Sequence, residues 1–349
     1  MFPKPKGRAV RIDVEIDPVA PGLAALNRQE APYRANVWLT ALALTGAFFQ
    51  IIVVPIFFLP QAPGLATLVV VMLSFGAPMS RALLHEAIHR RLARSSFWND
   101  RLGRALAIIY GIAFDVMRFG HSAHHRFPRH AFDRADIIAV GEKRIVACLH
   151  YYCGLLGWFY VREILAGSIV LLPRRAIELL TDRALRTDDT LRVLVSAIRQ
   201  SLDRSLQRCR LDLALAALLY GGAFYLYGAC WPILLTGIVV RALITSLLDN
   251  VAHYGTPGET GAAAHNLWAS HWLSLYVLNG NLHGVHHDRP EVPWNLLPQM
   301  HRQTHKGYAG GYMAFLVMQF LGPRVSFPLG TRSTGAKQEN LISTTRPIT

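Results

Sequence analysis

The chain has 349 residues, of which 52% are hydrophobic and only 17% are charged, and its mean hydropathy is +0.26. This composition is too apolar for an ordinary soluble globular protein and predicts that a membrane surrounds much of the chain. The formal net charge is +14. Because the Lys and Arg residues lie between the apolar runs and form no single basic domain, they fit the positive-inside rule better than nucleic-acid binding.

The first half of the chain predicts one membrane hairpin. Residues 1–35 are polar and rich in proline, and we expect an extended cytosolic arm. Residues 36–59 form an apolar run long enough to cross a hydrocarbon core of about 30 Å. After an uncharged turn at 60–64, residues 65–78 begin a second crossing that continues into RALLHEAIHRR. Residues 102–117 are apolar but short for a crossing, which predicts a re-entrant or interfacial helix.

The second half contains three further apolar runs. Residues 145–173 are long enough to cross, but Arg162 and Glu163 interrupt their middle, so we expect this segment to lie in the interface. Residues 211–227 and 233–248 form a second hairpin around the short uncharged sequence GACWP. The sequence therefore predicts an all-α integral membrane protein with about four transmembrane helices in two hairpins, interfacial helices and a histidine-rich cytosolic cap.

Domain organisation and sidedness follow from the same patterns. Residues 36–328 are predicted to form one membrane domain, and residues 329–349, rich in Ser, Thr and Gly, a disordered tail. The turns at 60–64 and 228–232 carry no Lys or Arg, whereas the histidine-bearing segments carry many. The positive-inside rule then places the histidines on the cytoplasmic side, which is the inner membrane in a bacterium.

Three histidine clusters, HEAIH, HSAHH and HGVHH, are the most informative motifs. Spacings of three and four residues place imidazoles on one face of a helix, as a shared metal centre requires. We expect a pattern such as HxxxH about once by chance in such a chain, but two copies of HxxHH in well under one chain in a hundred. The clusters supply the candidate ligands His85, His89, His121, His124, His125, His283, His286 and His287.

HEAIH also matches HExxH, in which two histidines hold zinc and the glutamate is the general base of a metalloprotease. A catalytic zinc takes three protein ligands, which leaves at least five clustered histidines unexplained. Eight or nine imidazoles are enough for two metal ions, and imidazole suits iron as well as zinc and copper. In the two-metal interpretation Glu86 either contacts a metal ligand without binding the metal itself or is a solvated helix residue. A metal-binding or transport protein without enzymatic activity is a third possibility.

The pattern resembles the membrane fatty acid desaturase and hydroxylase superfamily, whose three histidine boxes read HxxxH or HxxxxH, HxxHH and HxxHH. Residues 279–298, NGNLHGVHHDRPEVPWNLLP, look like the sequence around its third box. LLDNVAHYGTP resembles the segment from which these enzymes recruit another histidine, which implies His253 as a ninth ligand. The resemblance covers about residues 36–305. It implies a non-haem diiron centre with two iron ions, dioxygen as co-substrate and electrons from a separate donor.

Other residues near the boxes have two interpretations each. Asn250 either orients or ligates iron, directly or through water, or caps a helix end. Asp288 either accepts a hydrogen bond from a ligand imidazole or is a surface charge. No HPGG motif of a fused cytochrome b5 domain, no GxGxxG fingerprint and no CxxC pair occurs. We therefore expect a ferredoxin, a rubredoxin or a similar protein to deliver the electrons.

The sequence thus predicts an oxygen-dependent fatty acid desaturase that acts on a lipid or acyl substrate. A hydroxylase or a carotenoid ketolase of the same superfamily is the nearest alternative. Whether the substrate loses a second hydrogen or gains oxygen depends on how its acyl chain is placed, which histidine spacing does not encode. A zinc membrane protease is the remote alternative from another class.

Overall fold

The computed structural model describes residues 31–130, 133–139, 141–184, 189–256 and 262–325, and no side chain in 181–204. Most of the predicted amino-terminal arm and the whole predicted tail, 329–349, lie outside these ranges. The predicted domain boundaries at residues 35 and 328 therefore stay predictions.

The described part of the chain is mostly helical. Helices and strands follow one another as α1 Tyr33–Phe58, α2 Pro63–Ser74, α3 Ala77–Ile88, α4 Ser96–Ile109, α5 Phe114–Arg126, β1 Ile137–Ile138, α6 Arg144–Cys153, α7 Phe159–Ser168, α8 Arg174–Ala184, α9 Asp189–Tyr227, α10 Trp231–Val251, β2 Leu267–Trp268, α11 His271–Tyr276, α12 His283–Asp288, α13 Leu297–Thr304, β3 Gly310–Gly311, α14 Tyr312–Met318 and β4 Arg324–Val325. The strands form two short parallel pairs, β1 with β4 and β2 with β3. No closed sheet occurs among these elements, and the prediction of an all-α architecture is confirmed.

Four helical stretches of the described chain are long and apolar enough to cross a membrane: Tyr33–Phe58, Pro63–Ile88, Arg144–Leu171 and Ser205–Val251. The first two are joined at residues 59–62, and Pro63 begins the second because the first position of a helix needs no N–H donor. The last stretch holds two helices, the end of α9 and α10, joined by the short turn Gly228–Cys230. The protein is therefore an integral membrane protein with two helical hairpins, as predicted.

The stretch Arg144–Leu171 is long and apolar enough to cross, but it is not one regular helix. Its backbone leaves helical geometry at Leu156 and Gly157, and Gly157 has a φ of 116°. This break separates α6 from α7, and α7 carries the charged residue Glu163. The interfacial placement of this segment stays a prediction.

The expected single helix over residues 102–117 is wrong. The structure ends α4 at Ile109 and begins α5 at Phe114, with Gly111 between them at a φ of 72°. The backbone N–H of Phe114 donates to the carboxylate of Asp212 in α9 at 3.1 Å. This contact with a distant helix satisfies an amide at the start of α5, where no amide has an intrahelical partner.

The two hairpins pack closely where α10 crosses α1 and α2. An added Cβ at Gly237 would lie 2.6 Å from Val70 Cγ1 and 2.7 Å from Gln50 Nε2. Gln50 Nε2 donates to Ser74 Oγ at 3.1 Å, and Ser74 Oγ donates to the carbonyl of Gly237 at 3.0 Å. Small residues and hydrogen bonds of this kind hold transmembrane helices together, because lipid provides no hydrophobic force between them.

Candidate metal centre

The histidines of the first two boxes lie where α3 and α5 end. His85 is in the last turn of α3 and His89 directly follows the helix, four residues on. His124 and His125 are in the last turn of α5, and His121 lies one turn earlier. Residues four apart share a helical face. Each helix end therefore presents its imidazoles in one direction.

The third box is held by a network of side-chain amides. Asn266 Oδ1 accepts the backbone N–H of Val285 at 2.9 Å, and Asn281 Nδ2 donates to the carbonyl of Leu267 at 2.8 Å. Asn279 has a φ of 55° and donates from Nδ2 to the carbonyl of Trp294 at 3.0 Å. These bonds fix the loop before α12. They give Asn279 and Asn281, both in the sequence around the third box, a structural role.

The nine predicted ligands form two groups, each with its ligand atoms within 4.8 Å of one another. Group one consists of His85, His89, His121, His125 and His286. Group two consists of His124, His253, His283 and His287. Neighbours in sequence thus belong to different groups, as His286 and His287 do. The structure brings together all nine predicted residues, which come from all three boxes and from the segment after α10.

The spacing of the ring nitrogens fits metal coordination. In group one the Nε2 atoms of His121 and His89 are 2.9 Å apart, and those of His286 and His125 are 3.1 Å apart. Neighbouring ligands in an octahedral shell with metal–nitrogen bonds of about 2.0–2.1 Å are separated by about 3 Å. Nε2 of His85 is buried and has no hydrogen-bond partner among the described residues. A metal ion would satisfy these converging lone pairs, and imidazole is a ligand that iron accepts.

Burial keeps six of the candidate ligands in the neutral form that binds metal. Desolvation, followed by the closeness of other histidines, lowers the pKa of His125 to about 2 and that of His253 to about 3. The same causes hold the pKa well below its ordinary value for four further ligands, His89, His121, His283 and His286. A neutral imidazole offers one nitrogen lone pair to a metal.

In two candidate ligands of group two, a hydrogen-bond partner of Nδ1 fixes the orientation of the ring. Nδ1 of His124 lies 2.7 Å from Oδ2 of Asp133, and the same carboxylate oxygen accepts the backbone N–H of Arg129 at 3.2 Å. Nδ1 of His253 donates to the carbonyl of Ala263 at 2.9 Å. Both contacts leave Nε2 for a metal. Asp133 was missed by the sequence analysis, and an acidic residue nine positions after His124, beyond a helix end, gives no local signal.

The other predicted supporting residues have defined positions. Glu86 is buried, and its carboxylate accepts the backbone N–H of Trp294. Asn250 lies in the last turn of α10 and donates from Nδ2 to Oε1 of Gln319 at 2.8 Å. Asp288 forms an ion pair with Lys306 at the surface. The roles that were predicted for these three residues at the metal centre stay predictions.

A cavity of about 450 Å³ adjoins the histidines. Its wall includes histidines of both groups and apolar side chains such as Ile112, Phe159 and Leu248. It also includes the charged side chains of Arg81 in α3 and Glu163 in α7. A ligand in this cavity would lie directly beside the metal centre.

Comparison with known proteins agrees with this geometry. The model of the fatty acid desaturase family matches residues 60–317, which include all three boxes and His253. No curated protein sequence matches the chain. Enzymes of this family are oxygen-dependent oxidoreductases that act on fatty acids, with two irons as cofactor. The match covers well over half of the sequence, and the chain belongs to the fatty acid desaturase family.

Proposed function

We propose that this protein is a diiron acyl desaturase that introduces a double bond into an acyl chain with dioxygen and two electrons. The observation that carries the proposal is the division of nine imidazoles into two adjacent groups, one of five and one of four. Group one would hold one iron and group two the other. When bound, the two irons supply the activation of dioxygen that the removal of hydrogen from an unactivated C–H bond requires.

The chain's own residues would hold and shield the reacting groups. Burial keeps His125 and His253 neutral, and Asp133 and the carbonyl of Ala263 fix the rings of His124 and His253. The cavity offers an acyl chain a place beside the centre, and its apolar walls at Ile112 and Phe159 would exclude water.

The electron donor and the side of the membrane belong to the same proposal. Donor docking would use a basic cytoplasmic face near the first box, where Arg90 and Arg94 follow His89. An acidic ferredoxin or rubredoxin would complement this charge. The proposal places the histidines on the cytoplasmic side, where such donors are found.

Mass spectrometry of lipids and acyl thioesters tests the proposal. Cells that express the chain would be compared with cells that express His286→Ala, which removes one ligand of group one. Loss of two hydrogens from an acyl species in cells with the unchanged protein, but not in cells with the variant, would support a desaturase. Gain of oxygen would instead assign a hydroxylase or ketolase. Identical lipids, in the presence of iron and a reducing donor, would contradict the proposal.

A further inference from the structure

A cluster of charged side chains lies in the cavity wall, one helical turn from the metal centre. Arg81 precedes His85 by four residues in α3, and Asp249 precedes His253 by four residues at the end of α10. Arg81 is therefore about 6 Å from His85 along the helix axis. Nη2 of Arg81 donates to Oδ2 of Asp249 at 2.8 Å and to Oε1 of Glu163 in α7 at 2.6 Å.

The three charged side chains remain accessible from the cavity although they pair with one another. The side chains of Arg81, Glu163 and Asp249 are 16%, 33% and 39% exposed, and all three line the cavity. All three also belong to stretches that are long and apolar enough to cross the membrane. Ionised groups there are costly, and an ion pair stabilises a buried site little compared with apolar packing. Their position fits a binding role better than a structural one.

Among the described residues, one polar atom of Thr245 and one of Glu163, both in the cavity wall, have no hydrogen-bond partner. Thr245, one turn before Asp249 in α10, is 3% exposed, and its Oγ1 forms no hydrogen bond with any described residue. Oε2 of Glu163 likewise has no hydrogen-bond partner within the described ranges. Buried polar groups in native proteins are almost always hydrogen-bonded. A ligand that both donates and accepts hydrogen bonds would satisfy the two atoms together.

We propose that Arg81, Glu163, Thr245 and Asp249 bind a hydroxyl or amide group of the substrate, so that the oxidised carbon lies a few bonds from that group. The O–H or N–H would donate to a carboxylate, and the oxygen would accept from Thr245. A plain hydrocarbon would desolvate the cluster without replacing its hydrogen bonds, and a carboxylate would meet two carboxylates. The inference rests on the proposed function, because it assumes that the histidine centre oxidises the bound molecule.

Equilibrium binding to the purified full chain in detergent tests the inference without turnover. Radiolabelled hexadecanamide would be displaced by unlabelled hexadecanamide, hexadecanol or hexadecane. We expect the amide and the alcohol to bind about tenfold more tightly than the hydrocarbon, as one hydrogen bond to a charged group provides. Equal affinity for the three probes would overturn the inference.

Substitutions test whether the cluster causes the preference for the amide and the alcohol over the hydrocarbon. Glu163→Gln and Asp249→Asn should each reduce it severalfold, whereas Glu178→Gln, an exposed carboxylate paired with Arg174, should leave it unchanged. Should the first two variants not fold, Thr245→Val removes only a hydroxyl and should also lower the preference. An unchanged preference in Thr245→Val and in every folded carboxylate variant of the cluster would overturn the inference.

The same measurements separate the inference from the proposed function. A chain that binds the amide tightly but oxidises no lipid would contradict the function and leave the binding site in place. A chain that desaturates plain acyl chains yet binds the three probes equally would contradict the inference alone.

Discussion

Oδ2 of Asp133 lies 2.7 Å from Nδ1 of His124, while Nε2 of the same ring lies 3.1 Å from Nε2 of His287. The carboxylate therefore holds the ring so that its free nitrogen meets another candidate ligand. A contact of this kind fixes the tautomer of the imidazole and raises its basicity, and its loss typically weakens metal binding by about 10–100-fold.

Asp133→Ala should therefore lower the iron affinity of group two by about 10–100-fold. Iron retained against a competing chelator, measured by atomic absorption on the purified protein, gives this affinity. The matched control is Glu178→Ala, which removes an exposed carboxylate that pairs with Arg174. Equal iron retention in both variants would show that Asp133 does not support the centre.

The two groups predict different consequences for adjacent histidines. His286 belongs to group one and His287 to group two. His286→Ala and His287→Ala should each lower the iron content from two ions per chain toward one, because each removes a ligand from only one group. Mössbauer spectroscopy of iron-loaded variants should then show different residual sites. Identical residual spectra would contradict the division into two groups.

Glu86→Gln distinguishes the diiron interpretation from an HExxH zinc protease. The carboxylate of Glu86 accepts the backbone N–H of Trp294, and an amide oxygen can accept the same bond. We expect Glu86→Gln to retain appreciable oxidation of lipid, whereas His286→Ala or His124→Ala abolishes it. A protease would show the opposite order, since its glutamate is the general base.

The metal-free protein should lose stability in acid. The folded chain depresses the pKa of His125 to about 2 and of His253 to about 3, from an ordinary value of 6.5. Unfolding therefore takes up protons below that ordinary value, so the stability from these groups is complete above pH about 6.5 and declines as the pH falls toward about 3. We expect the Tm of iron-free protein in detergent to decrease steadily between pH about 6.5 and about 5.

A variant checks the origin of this pH dependence. His253→Gln removes one group that stays neutral in the folded state between pH about 6.5 and about 5. The Tm of this variant should therefore depend less steeply on pH. His271→Gln, in α11 and outside both groups, is the matched control. If the Tm of His253→Gln depended on pH as steeply as that of the unchanged protein, the assignment of this pH dependence to His253 would be wrong.

Gly237→Ala should destabilise the packing of the two hairpins. The new Cβ would lie 2.6 Å from Val70 and 2.7 Å from Gln50, and such overpacking costs about 1–3 kcal/mol. Gly221→Ala in α9 meets nothing within 4 Å and should stabilise the helix by up to about 1 kcal/mol. Unfolding in detergent, monitored by circular dichroism, compares the two variants. Equal stability would show that the contact between α10 and α2 is looser than described.

Local sequence patterns were enough to predict the candidate ligands and the membrane helices. Histidines three and four residues apart lie on one helical face wherever the helix packs, so the box residues could be assigned without a structure. Apolar runs near the thickness of a bilayer determined the hairpins in the same way. His253 has no such spacing, and only the resemblance of LLDNVAHYGTP to a known family identified it.

Tertiary structure decided what depends on contacts between distant segments. The helix break within 102–117 is accompanied by a bond from Phe114 to Asp212, 98 residues away. Arg81 meets Glu163 and Asp249, which are 82 and 168 residues further along the chain. The division of His286 and His287 between two groups likewise depends on how four segments approach one another. Spacing within one helix sets only the direction of a side chain, whereas its partner is set by the packing of other helices against it.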